Sequence, residues 1–311
     1  MHPSFLVVGS GAVGCYYGSK LQQAGFDVTF LARGKRYNYL KENPLIVESF
    51  LGDYTVKGKF IDAVTNEKPD FILFTTKSYD IKEACESIKK AVTTSTTIIS
   101  FINGTESEKV IAEFFPKNDI IGGIAFIGAE LNKEFILSHT AAGFILIGDC
   151  EVSKVSTRSY KLNEIADFFI QGNINCKISD NIYQDFWNKM LWNTGFNGLC
   201  AITGMTSKLL LEFPETRKTV IGLMKECKRV AIASGIHITD EMIQKNIEIT
   251  EKVSGDVTPS MLQDKRNGKK MEIDIINGKV VALGKELGVQ TPLNETINAI
   301  ISLWNKELQK G

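Results

Sequence analysis

Phe5-Leu6-Val7-Val8-Gly9-Ser10-Gly11-Ala12-Val13-Gly14 decides how the first half of this 311-residue chain is read. Four consecutive apolar residues have the length of a short strand buried on both faces. The next six spell G-x-G-x-x-G, and a helical pattern runs from Ala12 to about residue 24. A glycine pattern between a strand and a helix carries a meaning that the same pattern elsewhere lacks. Gly9 permits the tight turn, Gly11 lets the backbone approach a pyrophosphate, and Gly14 lets helix and strand pack closely, with the helix N-terminus facing the anion. The stretch predicts a dinucleotide site built by Gly9, Ser10, Gly11, Ala12, Val13 and Gly14.

The end of the next strand, predicted over 27–31, bears on which dinucleotide is held. NAD enzymes tend to carry an acid there for the ribose 2′-hydroxyl. This chain has Arg33, then Lys35 and Arg36, with no acid between Asp27 and Glu42. A carboxylate would repel a 2′-phosphate, whereas a guanidinium fork can bind it bidentately. The expected cofactor is NADPH/NADP+, with a solvated basic loop as the plainer reading of the same residues.

Outward from this point strands and helices alternate. Strands are expected over 71–75, 97–102, 120–127, 144–147 and 174–178, and helices over 79–90 and 106–115, with a less regular stretch after the basic turn. Such alternation implies βαβ units and a parallel sheet. From residue 180 the pattern becomes helix after helix, over 181–200, 215–234, 240–251, 273–287 and 295–308. Gly235 and Gly288 fall where helix C-caps belong. The expected architecture is α/β: a Rossmann-like dinucleotide-binding domain over 1–178, then an all-α substrate and catalytic domain over 179–311. The active site is expected in the cleft between them.

Composition excludes several classes. Lys and Arg number 36 and Asp and Glu 36, so the basic excess of a nucleic-acid binder or a polybasic membrane-surface protein is missing. The longest apolar stretch, 120–129, contains three glycines and is too short to span a bilayer. The six cysteines form no C-x-x-C pair and the histidines (His2, His139, His237) no ligand motif, which argues against a disulfide framework or a metal site. The expectation is a cytoplasmic protein with reduced thiols.

In the second half, Lys189, Asn193 and Asn197 are spaced i, i+4, i+8 and so share one helix face. Phe186, Trp187, Met190, Leu191, Trp192 and Phe196 surround them. A lysine in partly apolar surroundings has its pKa lowered toward a range useful for proton donation. The pattern reads equally well as a lysine snorkelling from an amphipathic helix. The two asparagines can both donate and accept, or can be satisfied buried amides.

Several motifs together carry a resemblance. G-S-G-A-V-G, F-L-A-R-G, T-T-K-S-Y-D at 75–80, I-N-G at 102–104, F-W-N-K-M-L-W-N-T-G-F-N, S-M-L-Q-D, E-I-D-I-I-N-G and T-P-L-N-E-T occur in this order from residue 6 to residue 296. In that order and spacing the chain resembles the ketopantoate reductase family. The resemblance implies NADPH-dependent reduction of 2-dehydropantoate (ketopantoate) to (R)-pantoate, a step toward pantothenate and coenzyme A. It implies Lys189 as the proton donor, and Glu272 as an acid at the junction of cofactor and active site. It further implies that Asn103, Asn193, Asn197 and Ser260 bind substrate, Ser260 through the carboxylate, and that Lys77, Asn103 and Ala129 meet the cofactor. Plainer readings stand beside these: Ser260 as a helix cap after Pro259, Glu272 as an acid in a first helical turn, and Asn103-Gly104 as a hairpin turn, the last disfavoured because a helix and not a strand is expected to follow. Where the family commonly continues after Asn-Gly with an apolar residue and a glycine, this chain has Thr105-Glu106. The implied partner is a small 2-oxo acid, with no nucleic acid and no membrane, and a homodimer left open. Two alternatives remain: a reductase of the same fold acting on another 2-oxo acid, and a non-catalytic NADP(H)-binding sensor.

Overall fold

Phe5 to Val8 are all buried, and they alternate between two cores. Phe5 and Val7 join one apolar cluster, Leu6 and Val8 another, as the period of a strand covered on both faces requires. In the computed structural model this segment is strand β1 (Ser4–Val8), followed by α1 (Ala12–Gln23), β2 (Asp27–Leu31), α2 (Gly34–Leu40), β3 (Leu45–Ser49), β4 (Tyr54–Val56), β5 (Lys59–Ile61) and β6 (Phe71–Phe74). A 3₁₀ turn (Ser78–Asp80) leads into α3 (Ile81–Ile88), then come β7 (Thr97–Ser100), α4 (Ser107–Phe114), β8 (Ile120–Leu131), β9 (Leu137–Asp149), α5 (Ser159–Gln171) and β10 (Cys176–Ile178). The structure describes residues 3–150, 152, 159–252 and 258–308; His2 lies outside them.

Among the described residues these strands form one sheet in the order β4-β3-β9-β8-β7-β6-β1-β2-β5, with β10 beside β9. The run β5-β2-β1-β6-β7-β8 is parallel throughout, the doubly wound order in which ligands meet the carboxyl ends of the strands. Antiparallel β8–β9 and β3–β4 pairs extend it. Helices cover both faces: Cys15, Tyr16 and Leu21 of α1 with Ile165 and Phe169 of α5 on one side. Ile81, Cys85 and Ile88 of α3 with Ile111 of α4 cover the other. Each buried leucine, isoleucine or phenylalanine among them stabilises the fold by about 1.5–3 kcal/mol.

The second part is helical: α6 (Ile182–Thr203), α7 (Ser207–Glu212), α8 (Pro214–Ala233), α9 (Asp240–Lys252), α10 (Ser260–Arg266), α11 (Asn277–Leu287) and α12 (Pro292–Leu308). Trp187, Met190, Leu191 and Phe196 of α6 pack with Leu223, Met224 and Cys227 of α8, Val280 of α11 and Ile301 of α12. Gly288 ends α11 in the left-handed conformation, and the N–H of Val289 closes back on Gly284 O at 2.7 Å. The chain divides into two compact units, Met1–Ile182 and Tyr183–Gly311.

Two expectations need correction. The helix expected over 273–287 is a 3₁₀ turn (Ile273–Ile275) followed by α11, broken at Ile276 (φ −107°, ψ −99°). Buried Asn277 is tied there through its NH2 to Thr194 O at 3.1 Å and Asn294 Oδ1 at 2.9 Å, and the backbone turns where these bonds hold it. The strands expected over 120–127 and 144–147 run on as the long β8–β9 hairpin, past register shifts beside Phe126 and Gly128. After Asn103-Gly104 the chain enters a helix, as expected, and makes no hairpin: Gly104 bends with φ +108° and leads into α4. All six cysteines are buried and none forms a disulfide. Among the described residues no helix is long and apolar enough to cross a membrane.

Candidate functional sites

In the first unit the sheet register lines up the candidate residues. Leu31, Val8, Phe74 and Ser100, the last residues of β2, β1, β6 and β7, pair with one another across the sheet. Arg33, the glycine loop, Lys77 and Asn103 all leave from this row, at the carboxyl edge of parallel strands.

The glycine loop is pinned from both sides. Ser10 Oγ donates to Leu31 O at 2.8 Å, and Thr75 Oγ1 donates to Gly9 O at 2.7 Å. The buried hydroxyl of Ser10 thus serves the loop itself, and any ligand contact at this position falls to its backbone. The glycines divide the work as their chemistry suggests. Gly9 has φ +100°, and a Cβ there would lie 2.6 Å from Thr76 N; a Cβ on Gly14 would lie 2.5 Å from Gly9 O. A Cβ on Gly11 would meet nothing nearer than Gly9 O at 4.0 Å, so its outer face is open. Ala12 and Val13 begin α1, which has no side-chain cap among the described residues and no acid in its first turn. An uncapped N-terminus leaves backbone N–H groups for an anion. Beside the loop, Thr76 Oγ1 is buried without a hydrogen-bond partner among the described residues, and so is Arg36 Nε on α2. An open Gly11, an uncapped helix end and orphaned polar atoms fit a dinucleotide phosphate.

Arg33 stands at the start of α2 and is ion-paired with Glu83 of α3. Lys77 precedes the 3₁₀ turn, and its carbonyl accepts the N–H of Asp80 at 3.0 Å. Asn103 O accepts Ser107 Oγ at 3.4 Å at the entry to α4. Thr105, the departure from the family pattern, is buried, and Glu106 becomes the N-cap residue of α4. Ala129 lies in the far half of β8, beyond the residues paired with β7, opposite His139.

In the second unit α6 carries Lys189, Asn193 and Asn197 on one face, as their spacing requires. Asn197 Nδ2 donates to Asn193 Oδ1 at 3.0 Å, and Asn197 Oδ1 accepts from Met261 N at 3.3 Å and from Ser260 Oγ at 3.5 Å. Ser260 is the first residue of α10, and Pro259 takes the cap position. Its hydroxyl is turned to Asn197 and caps no helix. Lys189 is partly buried, and burial pushes its pKa down to about 8, against the opposing pull of the Glu272 carboxylate. Glu272 is itself buried, at the cap position of the 3₁₀ turn that precedes α11. The structure therefore brings together Lys189 with Glu272, and Asn193 with Asn197 and Ser260. Among the described residues no three His, Cys, Asp or Glu side chains are grouped to hold a metal ion.

With this geometry in hand, comparison with known proteins places the chain. Residues 5–151 match the family model for ketopantoate reductase PanE/ApbA, and residues 181–305 that for ketopantoate reductase PanE/ApbA C terminal. The chain is 30% identical to a 2-dehydropantoate 2-reductase of Pyrococcus abyssi over 98% of either sequence. It belongs to the ketopantoate reductase family. As a ketopantoate reductase family member it is an oxidoreductase. The crystal structure of a 2-dehydropantoate 2-reductase from Geobacter metallireducens GS-15 superposes with a TM-score of 0.88 at 30% identity, covering 96% of this chain and 99% of the other. The fold is also that of a D-mandelate dehydrogenase solved with NADH and anilino(oxo)acetate, with a TM-score of 0.91 at 24% identity, covering 98% of this chain and 99% of that one.

The asparagines of two family motifs turn out to be structural in this ketopantoate reductase family chain. Asn277 of E-I-D-I-I-N-G bonds Asn294 of T-P-L-N-E-T, and buried Glu226 of α8 accepts the N–H groups of Leu293 and Asn294 at 3.1 and 3.0 Å. Glu226 thereby satisfies the N-terminus of α12. Sequence reasoning missed this acid, and also Thr75 and Glu83. The signal for Thr75 was present, a hydroxyl directly after a buried strand beside the glycine loop. Glu83 lies 50 residues from Arg33 and left no local signal.

Proposed function

We propose that the protein reduces 2-dehydropantoate to (R)-pantoate with NADPH, Lys189 being the proton donor. One observation carries this reading: a partly buried lysine whose pKa is pushed down to about 8, on the helix that also aligns Asn193 and Asn197. A general acid works best with a pKa near the operating pH, and this lysine is charged at neutrality yet gives up its proton readily.

The first unit's residues hold the coenzyme in this account. The glycine loop and the N-terminus of α1 take the pyrophosphate, Arg33 takes the 2′-phosphate, and Lys77, Asn103 and Ala129 contact the remainder. When bound, the reduced nicotinamide supplies a hydride to the ketone carbon. Lys189 Nζ donates a proton to the oxygen as negative charge develops there, and Glu272 keeps the lysine protonated until then. The amides of Asn193 and Asn197 bind the substrate's hydroxyl and ketone oxygens, and Ser260 Oγ binds its carboxylate. Asn103 completes the substrate contacts.

A second reading, a reductase of another 2-oxo acid, is supported by the fold shared with D-mandelate dehydrogenase. Loss of nicotinamide absorbance with NADPH and a panel of 2-oxo acids separates the readings. The proposal expects the highest kcat/KM on ketopantoate. Faster turnover of another 2-oxo acid would favour the second reading, and coenzyme binding without turnover of any would point to a sensor.

A further inference from the structure

Glu83 sits in the first turn of α3, and its Oε1 is ion-paired with Arg33 Nη1. The two side chains are 50% and 69% exposed, so the pair lies at the surface, where a ligand can reach it. Its location matters: β2 ends at Leu31, in register with Val8, from which the glycine loop departs. In this class of fold the end of that strand meets the adenosine ribose, where NAD enzymes place a carboxylate. Here the chain places a cation, and the carboxylate arrives in space from the helix after β6.

We propose that Glu83 is a specificity-determining residue of the dinucleotide site, a counter-charge that restrains the preference for the 2′-phosphorylated coenzyme. The inference rests on the dinucleotide reading above and adds a residue that opposes Arg33. An exposed ion pair is weak and screened by salt, so a phosphate dianion can take Arg33 from the carboxylate. The displaced carboxylate remains on α3, within the roughly 8 Å over which charges act at physiological ionic strength, and repels that phosphate. Toward a coenzyme with a bare 2′-hydroxyl the same carboxylate is a hydrogen-bond acceptor. Both effects act in one direction. Glu83 weakens NADP(H) binding and strengthens NAD(H) binding, and the chain's ratio of the two is set by Arg33 and Glu83 together.

The test is an equilibrium titration of the full chain with NADP+ and with NAD+, for the unaltered protein, Glu83→Gln, Glu83→Asp and Arg33→Ala. Because the Kd ratio is taken within each protein, partial loss of folded material cancels. Glu83→Gln should raise Kd(NAD+)/Kd(NADP+) by about three- to tenfold, an effect that shrinks at high salt. Glu83→Asp, which keeps the charge, should stay nearer the unaltered ratio. A ratio unmoved or lowered in Glu83→Gln overturns the inference. The underlying reading is tested separately, since Arg33→Ala should lower the ratio; a ratio unchanged there means that Arg33 does not read the 2′-phosphate.

Discussion

Asn197 Nδ2 donates to Asn193 Oδ1 at 3.0 Å, one turn apart on α6. The direction of that bond follows from α10, where Met261 N–H donates to Asn197 Oδ1 at 3.3 Å. Since a backbone N–H can only donate, Asn197 must turn its oxygen to α10 and its NH2 to Asn193. Asn193 then presents its own NH2 on the opposite side, as a donor for an acceptor-rich substrate.

Removing the centre of this chain of bonds should therefore have two effects. Asn197→Ala leaves a buried N–H unsatisfied at Met261 and should lower stability by about 1–3 kcal/mol, read as a denaturation midpoint. It should also raise the KM for the oxo acid by freeing Asn193 to rotate. Ser260→Ala keeps the Met261 bond, so its melting temperature should stay near that of the unaltered protein while KM rises. An unchanged KM would remove Ser260 from substrate binding.

Two glycines three residues apart should behave oppositely. Gly14→Ala puts a methyl 2.5 Å from Gly9 O and 2.8 Å from Val7 Cγ1, and should cost about 1–3 kcal/mol of stability through overpacking. Gly11→Ala meets nothing within 4.0 Å, so the fold should tolerate it, while dinucleotide affinity falls because the methyl occupies the open side. Thermal melts and coenzyme titrations together read both. Unimpaired binding in Gly11→Ala would place the pyrophosphate elsewhere.

Lys189 should be a residue at which stability is given up for activity. Its pKa is near 8 in the fold and 10.5 in the unfolded chain, so between these values the unfolded state binds more protons and stability rises with pH. Below about 8 both states are protonated and the cost of burying the charge is felt in full. Lys189→Met should accordingly raise the melting temperature at neutral pH, with a gain that fades as pH climbs toward 10.5. A lower melting temperature at neutral pH would mean that the ammonium is well compensated by its partners.

The parts of this fold legible in the sequence are those that bury continuous or strictly periodic apolar runs. Phe71–Phe74 is buried at every position, and α3 places Ile81, Ala84, Cys85 and Ile88 on one face. Helix α2 was not legible because, of its seven residues, only Leu40 is buried. Helices α7 and α10, of six and seven residues, are also short, and α5 went unread, although Ile165, Ala166 and Phe169 are buried along it. The glycine loop and the α6 face could be read locally, since their parts lie within a few residues of one another. Lys189 and Glu272 are far apart in the chain, and only the family resemblance connected them before the structure did. The pairing of Arg33 with Glu83 could be read from neither pattern nor resemblance, because a stretch without acids in sequence can still meet one in space.

The most direct test of the central claim is the pH dependence of kcat/KM for ketopantoate reduction, followed from about pH 6 to about pH 10 with saturating NADPH. If Lys189 donates the proton, the rate should be level at low pH and fall above about 8, as the ammonium is lost. Glu272→Gln removes the charge that holds the proton and should move the fall to lower pH. Lys189→Ala should lower the plateau by roughly 10²–10⁴-fold with NADPH binding retained, and abolish the fall. A Lys189→Ala enzyme that keeps both its rate and its alkaline limb would contradict the account.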